Sequence, residues 1–313
     1  MSLLIIIQQM GVICILVSIG MLLHHKGVVD SLTSRKLSAI VVDVCNPALI
    51  MASILGGDIT AGHTDLLYAL CLGAVFYGVL VLTGLVMPRI LRAEPEKRKF
   101  YNLMSVYTNT GFLGIPVARA ILPPNAIIYV IVINVFYHLL FYTHGLAVLG
   151  KGTEGDAKEK VHPLRQIINP GIIMALLSLV VFWFHLELPP ILGNTIQYVG
   201  NSTVFLSMVL LGVSIARSRI ANSLRDVRIW VFILLRMLLL PVLFVLVMHA
   251  AGSDKTAVLA LCLMTAVPVG NLPMIQAEKK GMDTTVLSSA IAVTTAVSII
   301  TITVLIAAVT ALL

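Results

Sequence analysis

Long apolar runs of about 20 residues, separated by short polar stretches, recur along the whole chain. A helix of that length crosses the ~30 Å hydrocarbon core of a bilayer. Ten such runs are read, at roughly 3–23, 36–56, 65–88, 101–122, 126–149, 167–187, 195–216, 229–250, 256–277 and 285–312. They are too long and too evenly apolar for barrel strands, which run about ten residues and alternate apolar with polar. The first run has no basic residue ahead of it. His24-His25-Lys26 follows it in place of a small-residue cleavage site, so it is expected to be a retained span and not a signal peptide. The fold class predicted is an all-α polytopic membrane protein of ten transmembrane helices, with connections too short to hold a soluble domain.

Composition narrows this further. Of 313 residues, 59% are apolar and 11% charged, against about a quarter charged in a soluble domain. That excludes a soluble enzyme, a nucleic-acid binder and a disordered chain, none of which could keep so much apolar surface from water. The net charge of +7 invites a polyanionic partner until the basic residues are placed. Eighteen of the 21 Lys and Arg fall in the connections after spans 1, 3, 5, 7 and 9, from Lys26 through Arg89, Lys97, Lys151, Arg165 and Arg217 to Lys280. Arg119 and Lys255 fall on the other side, and Arg236 lies within a span. By the positive-inside rule this predicts an integral plasma (inner) membrane protein with both termini extracytoplasmic. The basic loops then rest near anionic membrane lipid, and no nucleic-acid partner is implied.

The polar stretch 151–166 divides the chain into 1–150 and 167–313, each with five spans. An odd number of spans per half makes the halves face opposite ways, the condition for two inverted five-helix repeats. The fourth span of each half is interrupted at corresponding places. Span 4 carries Asn109-Thr110-Gly111-Phe-Leu-Gly114-Ile-Pro116, and span 9 carries Pro268-Val-Gly270-Asn271-Leu-Pro273. Pro removes a helix hydrogen bond and clashes with the preceding turn, and Gly costs about 1 kcal/mol against Ala in a helix. A mere kink is the alternative reading of either break alone. Two at matching positions point to a site, since freed backbone groups in lipid need partners. A half-helix that starts in mid-membrane presents N–H groups and a positive dipole end to an anion. Pro116 and Pro273 are expected to open the second half-helices.

Other polar residues lie within the spans. Asp43 reads either as a proton or cation coupling site or as a structural ion pair. Arg236 reads as an attractor of an anionic substrate, or as a side chain that snorkels or pairs. Asn134 and His138 share a helix face, as polar glue between helices or as cavity lining with a proton relay. Asn46 precedes Pro47 in span 2, and Asn201 holds the corresponding place in span 7. The four cysteines, Cys14, Cys45, Cys71 and Cys262, match neither a zinc site nor a disulfide framework. No metal site, cofactor or nucleotide-binding motif is read, and no catalytic constellation of an intramembrane enzyme.

The motifs at 109–116 and 268–273, with Asn46-Pro47 in span 2, resemble those of the auxin efflux carrier family over the whole chain, in the manner of its bacterial members, without the long central loop of the plant ones. The resemblance implies a sodium/proton antiporter and bile-acid symporter-like fold in which broken spans 4 and 9 cross at the substrate site. Spans 1, 2, 6 and 7 would form a scaffold, and spans 3–5 and 8–10 a moving transport domain, in a homodimer. Carried over by motif, Asn109, Gly114, Pro116, Gly270, Asn271 and Pro273 would line the crossing. Thr110, Gly111, Pro268 and Asn46 are added as neighbours, and Asp43, Arg236 and His138 as ion-coupling candidates. The expected function is secondary transport of small organic anions, carboxylates above all, by elevator-type alternating access, with a coupling proton or sodium ion or by uniport. The alternative is a membrane channel or a transporter-like sensor.

Overall fold

The computed structural model describes residues 3–55, 62–150, 170–217 and 225–312. Helix covers each of the ten apolar runs within these residues. The elements are α1 (Leu3–His25), α2 (31–55), α3 (His63–Ile90), α4 (Arg98–Val106), α5 (Thr110–Ile121), α6 (Ala126–Gly150), α7 (Pro170–Phe184), α8 (Pro190–Arg217), α9 (Val227–Ala250), α10 (Lys255–Ala266), α11 (Leu272–Lys279) and α12 (Thr285–Leu312). Six of them, α2, α3, α6, α8, α9 and α12, are single helices long and apolar enough to cross a membrane. Run 4 is split into α4 and α5, and run 9 into α10 and α11. Large apolar side chains such as Ile15, Leu82, Val247 and Ile300 point outward, as a lipid-facing surface requires. The chain is an integral, multi-pass membrane protein. The expected linker at 151–166, with Lys151, Lys158, Lys160 and Arg165, lies outside the described residues, as does Arg219.

Acidic residues start several helices. The Asp30 carboxylate accepts from Thr33 N at 2.7 Å, Asp226 from Arg228 N at 2.9 Å, and Asp254 from Thr256 N at 2.9 Å. Asp65, in the first turn of α3, reaches back to Gly62 N at 2.6 Å. Each satisfies an orphan donor and sits at the positive end of a helix.

Four helices contain a widened turn with π-type bonding, at 41–45, 110–114, 141–145 and 233–239. Three end two residues before a proline: Pro47, Pro116 and Pro241. The cause is steric. A proline ring clashes with the carbonyl four residues back, and one extra residue in the preceding turn moves that carbonyl aside.

The helices pack in two groups. In one, α1 and α2 lie against α8, and α7 lies against α2. In the other, α3 packs on α4 and α6, α9 on α10, and α10 on α6 and α12. Span partners exchange between halves: span 1 packs on span 7 as span 6 packs on span 2, and span 5 packs on span 6 as span 10 packs on span 1. The α1–α8 seam closes backbone on backbone. A Cβ on Gly20 would run into the Val209 carbonyl, and one on Gly212 into the Val17 carbonyl. Farther along α8, a Cβ on Gly200 would stand 2.9 Å from Leu49 Cα.

Contacts also join connections of the same parity. Glu94, after span 3, lies 2.8 Å from Lys97 and 3.9 Å from Arg228, which leads into span 8. Lys97 holds the Glu94 carboxyl below its ordinary range. At the opposite end His63 stacks on Trp183 at 4.1 Å, and the Tyr68 hydroxyl donates to Ser253 Oγ at 2.8 Å.

Candidate functional site

The breaks in runs 4 and 9 meet each other. Residues 107–109 and 267–270 leave helical geometry and pair as a short antiparallel bridge, Thr108 opposite Val269. Asn109 N donates to Pro268 O at 2.8 Å, and Gly270 N to Tyr107 O at 3.0 Å. Backbone groups freed by the two interruptions therefore satisfy one another, with no water needed. Val269 N adds a bond to Thr294 Oγ1 of α12 at 3.3 Å. Gly270 is required by this approach, because a Cβ there would stand 2.8 Å from Thr108 O and 3.0 Å from Tyr107 O.

The two helices that enter the bridge end alike. Tyr107 N donates to Leu103 O at 2.8 Å, and Val267 N to Leu263 O at 3.0 Å. Ser105 Oγ donates to Tyr101 O at 2.8 Å, and Thr265 Oγ1 to Leu261 O at 2.6 Å. Each equivalent pair is 160 residues apart.

The helices that leave the bridge start differently. Pro273 is the second residue of α11, in the first turn, as expected. Pro116 does not open its half-helix. α5 begins at Thr110, capped by Asn109 Oδ1 accepting from Phe112 N at 3.2 Å, and the wide turn 110–114 carries the chain to the proline. The Asn109 cap, and the clearance the wide turn gives the proline ring, move the start six residues earlier than the proline suggests.

Polar groups collect at these starts. Asn46 Oδ1, Thr108 Oγ1, Asn109 Nδ2, Thr110 Oγ1 and Asn271 Oδ1 are buried without a hydrogen-bond partner among the described residues. Thr110 is 1% exposed and Asn109 3%. Asn46 of α2 comes to the same place, its Nδ2 3.0 Å from where a Cβ on Gly111 would be. Asn46, Asn109, Thr110 and Gly111 are thus brought together, and Pro268, Gly270 and Asn271 join them through the bridge. Gly114 turns the other way, its Cβ position 3.2 Å from Met264 Sδ, and Pro116 is buried in α5.

Three candidates for ion coupling separate. Arg236 neither snorkels nor pairs with Asp43. It is 1% exposed in the wide turn of α9 and donates from Nε to Ser105 O and from Nη1 to Thr265 O, both at 2.7 Å. Its partners are helix-end carbonyls. Asp43 is exposed on the wide turn of α2. His138 is half-buried on α6 with Nδ1 unpartnered, its ring parallel to Tyr142 at 6.5 Å. Asn134, one turn away, is fully buried with both side-chain polar atoms unpartnered. The Tyr107 hydroxyl donates to Leu140 O at 2.9 Å and lies 2.9 Å from His144 Nδ1.

Sequence reading missed Arg119, treating it only as a misplaced topological charge. Its Nη1 donates to Asn201 Oδ1 at 3.3 Å, joining α5 to α8 across the two packing groups. Its one signal was being the only basic residue in α5. Ser105 and Thr265 were also missed, because a carbonyl has no sequence signature. No group of three metal-ligating side chains occurs among the described residues. An open cavity of about 490 Å³, lined by Phe182, His185, Glu187 and Gln197 among others, lies between the ends of α2, α7 and α8 and includes none of the bridge residues.

A profile of the family described as membrane transport protein matches residues 5–306. The chain is 25% identical over 214 residues to an uncharacterized transporter of Methanocaldococcus jannaschii, covering 66% of this chain and 67% of that protein. It is 23% identical over 296 residues to an uncharacterized transporter of Methanothermobacter thermautotrophicus, covering 92% and 93%.

Proposed function

The chain belongs to the membrane transport protein family, an auxin efflux carrier-like family, and we propose that within it this protein is a secondary carrier of small organic anions, with carboxylates as the substrate class. One observation carries the reading. α5 and α11 both start within two residues of the bridge, beside buried, unpartnered Asn and Thr groups. A helix N-terminus favours an anion by about 0.3–1 kcal/mol, and by up to ~2 when partly buried. Two such ends contribute on the order of 1–4 kcal/mol, which alone gives binding no tighter than about millimolar. Side-chain donors such as Asn109 Nδ2 and the Thr110 hydroxyl then add affinity and choose among acids.

The two packing groups support a transport cycle. Spans 1, 2, 6 and 7 act as a scaffold, and spans 3–5 and 8–10 carry the bridge and its ligand past it. The exchange of partners between halves supports ten crossing helices in two inverted repeats, 1–150 and 167–313 about the 151–166 linker, and hence two states of similar energy related by a pseudo-two-fold axis. Asn46, on the scaffold side, contacts the ligand in one state. Both termini lie outside the plasma membrane, and two copies form a homodimer. Asp43 of α2 and His138 of α6 are where a proton would couple.

A binding screen of mono- and dicarboxylates against the purified protein tests the site. At least one acid is expected to bind, with Asn109→Ala and Asn271→Ala each weakening it about tenfold. Absence of binding by every acid, or equal binding by both variants, would sink the anion-site reading. Conductance far above carrier turnover would replace it with the channel alternative.

A further inference from the structure

The bridge has two polarities. Its outgoing helices present N-termini, and its incoming helices α4 and α10 present C-termini, each equivalent to about half a negative charge. Those two ends converge where the carbonyls of Ser105 and Thr265 lie, at equivalent positions of the two halves. Converging carbonyls with about one unit of negative charge between them make a site for one monovalent cation.

That site is filled by the protein. Arg236 places one guanidinium nitrogen on each carbonyl, at 2.7 Å in both cases, within the short range of charge-assisted bonds. No carboxylate among the described residues lies within ion-pair distance of it. The charge balance is therefore one guanidinium against two half-dipoles, which accounts for a fully buried arginine without an acidic partner. The planar fork suits this bridging role, since two of its nitrogens reach two acceptors at once. The two carbonyls are related by the repeat, whereas the arginine comes from one half only. Residue 76, the position 160 residues earlier, is a buried phenylalanine. Nothing in the repeat itself supplies the charge twice.

We propose that Arg236 is the resident cation of the crossing: it holds the C-terminal ends of α4 and α10 together and occupies the place that a sodium or potassium ion would otherwise need to fill, so that the substrate moves without an inorganic cation bound at those carbonyls. This rests on the carrier reading above. It is tested without any substrate, so its failure and the failure of the anion site are separable.

The thermal midpoint of the purified full-length protein in detergent is measured at equal ionic strength in sodium, potassium and choline chloride. The wild type is expected to unfold within about 1 °C in all three. Arg236→Gln is expected to lose on the order of 5 °C or more in choline. Sodium, potassium or about 10 mM methylguanidinium should restore at least about half of that loss, by binding the vacated carbonyls. Arg236→Lys, which reaches one carbonyl, should fall between. Saturable stabilisation of the wild type by sodium or potassium over choline would overturn the proposal. So would a glutamine variant as stable as wild type, or one that is destabilised and rescued by no cation. If the glutamine variant yields no folded protein, the wild-type salt series and the same cation rescue applied to Arg236→Lys decide the matter.

Discussion

The α1–α8 seam and the crossing both bring backbone against backbone, and they do so by opposite means. At the α1–α8 seam both helices stay intact, and Gly20 and Gly212 remove the side chains that would hold them apart. At the crossing the helices break, and freed N–H and C=O groups pair across the gap. The seam is closed by the absence of side chains at Gly20 and Gly212. The crossing satisfies its backbone yet keeps five polar side-chain atoms buried and unpartnered beside it. A close apolar seam suits a rigid frame, and a braced, polar crossing suits a ligand that comes and goes.

Substitutions separate the two kinds of contact. The largest effect is expected from Gly212→Leu, whose side chain has backbone where it must go. Overpacking against side chains costs about 1–3 kcal/mol, and backbone yields less, so loss of monodisperse protein in size-exclusion chromatography is the expected outcome. Gly270→Ala comes next. Its Cβ forces the bridge apart by a few tenths of an ångström, and a fall of roughly 2–6 °C in the thermal midpoint is expected. Arg119→Gln should leave the midpoint within about 2 °C while changing the rate of substrate exchange, because its bond to Asn201 joins the two packing groups and must break if they move. Gly78→Ala on α3 is the matched contrast to the seam. No atom lies within 4 Å of its Cβ position, so helix propensity alone should leave the midpoint unchanged or raise it by about 1–2 °C. Least of all, Glu94→Gln removes an exposed pair and should shift the midpoint by no more than about 1 °C.

Each long apolar run holds helix among the described residues, because span length is fixed by the bilayer and written directly in composition. The two breaks were legible for a similar reason: Gly, Asn and Pro are costly in a helix wherever it sits. Where α5 starts was not legible. Pro116 marked the wrong residue because a wide turn, invisible to pattern reading, lets a proline sit well inside a helix. Arg236 could be placed in depth but not given a partner, since its acceptors are carbonyls 131 and 29 residues away. Arg119 was absorbed into the charge count, which sees sidedness and not neighbours. Sequence thus exposes what is strained locally, and conceals which distant strands of chain relieve that strain.

The central claim is that the crossing carries one small carboxylate at a time between the two sides of the membrane. Counterflow in proteoliposomes tests it most directly: vesicles loaded with an unlabelled acid that binds are diluted into trace labelled acid. The account predicts transient, saturable accumulation of label above equilibrium, dependent on the loaded acid and reduced about tenfold or more by Asn109→Ala. Label that only equilibrates, at a rate indifferent to internal acid and to Asn109, would contradict it.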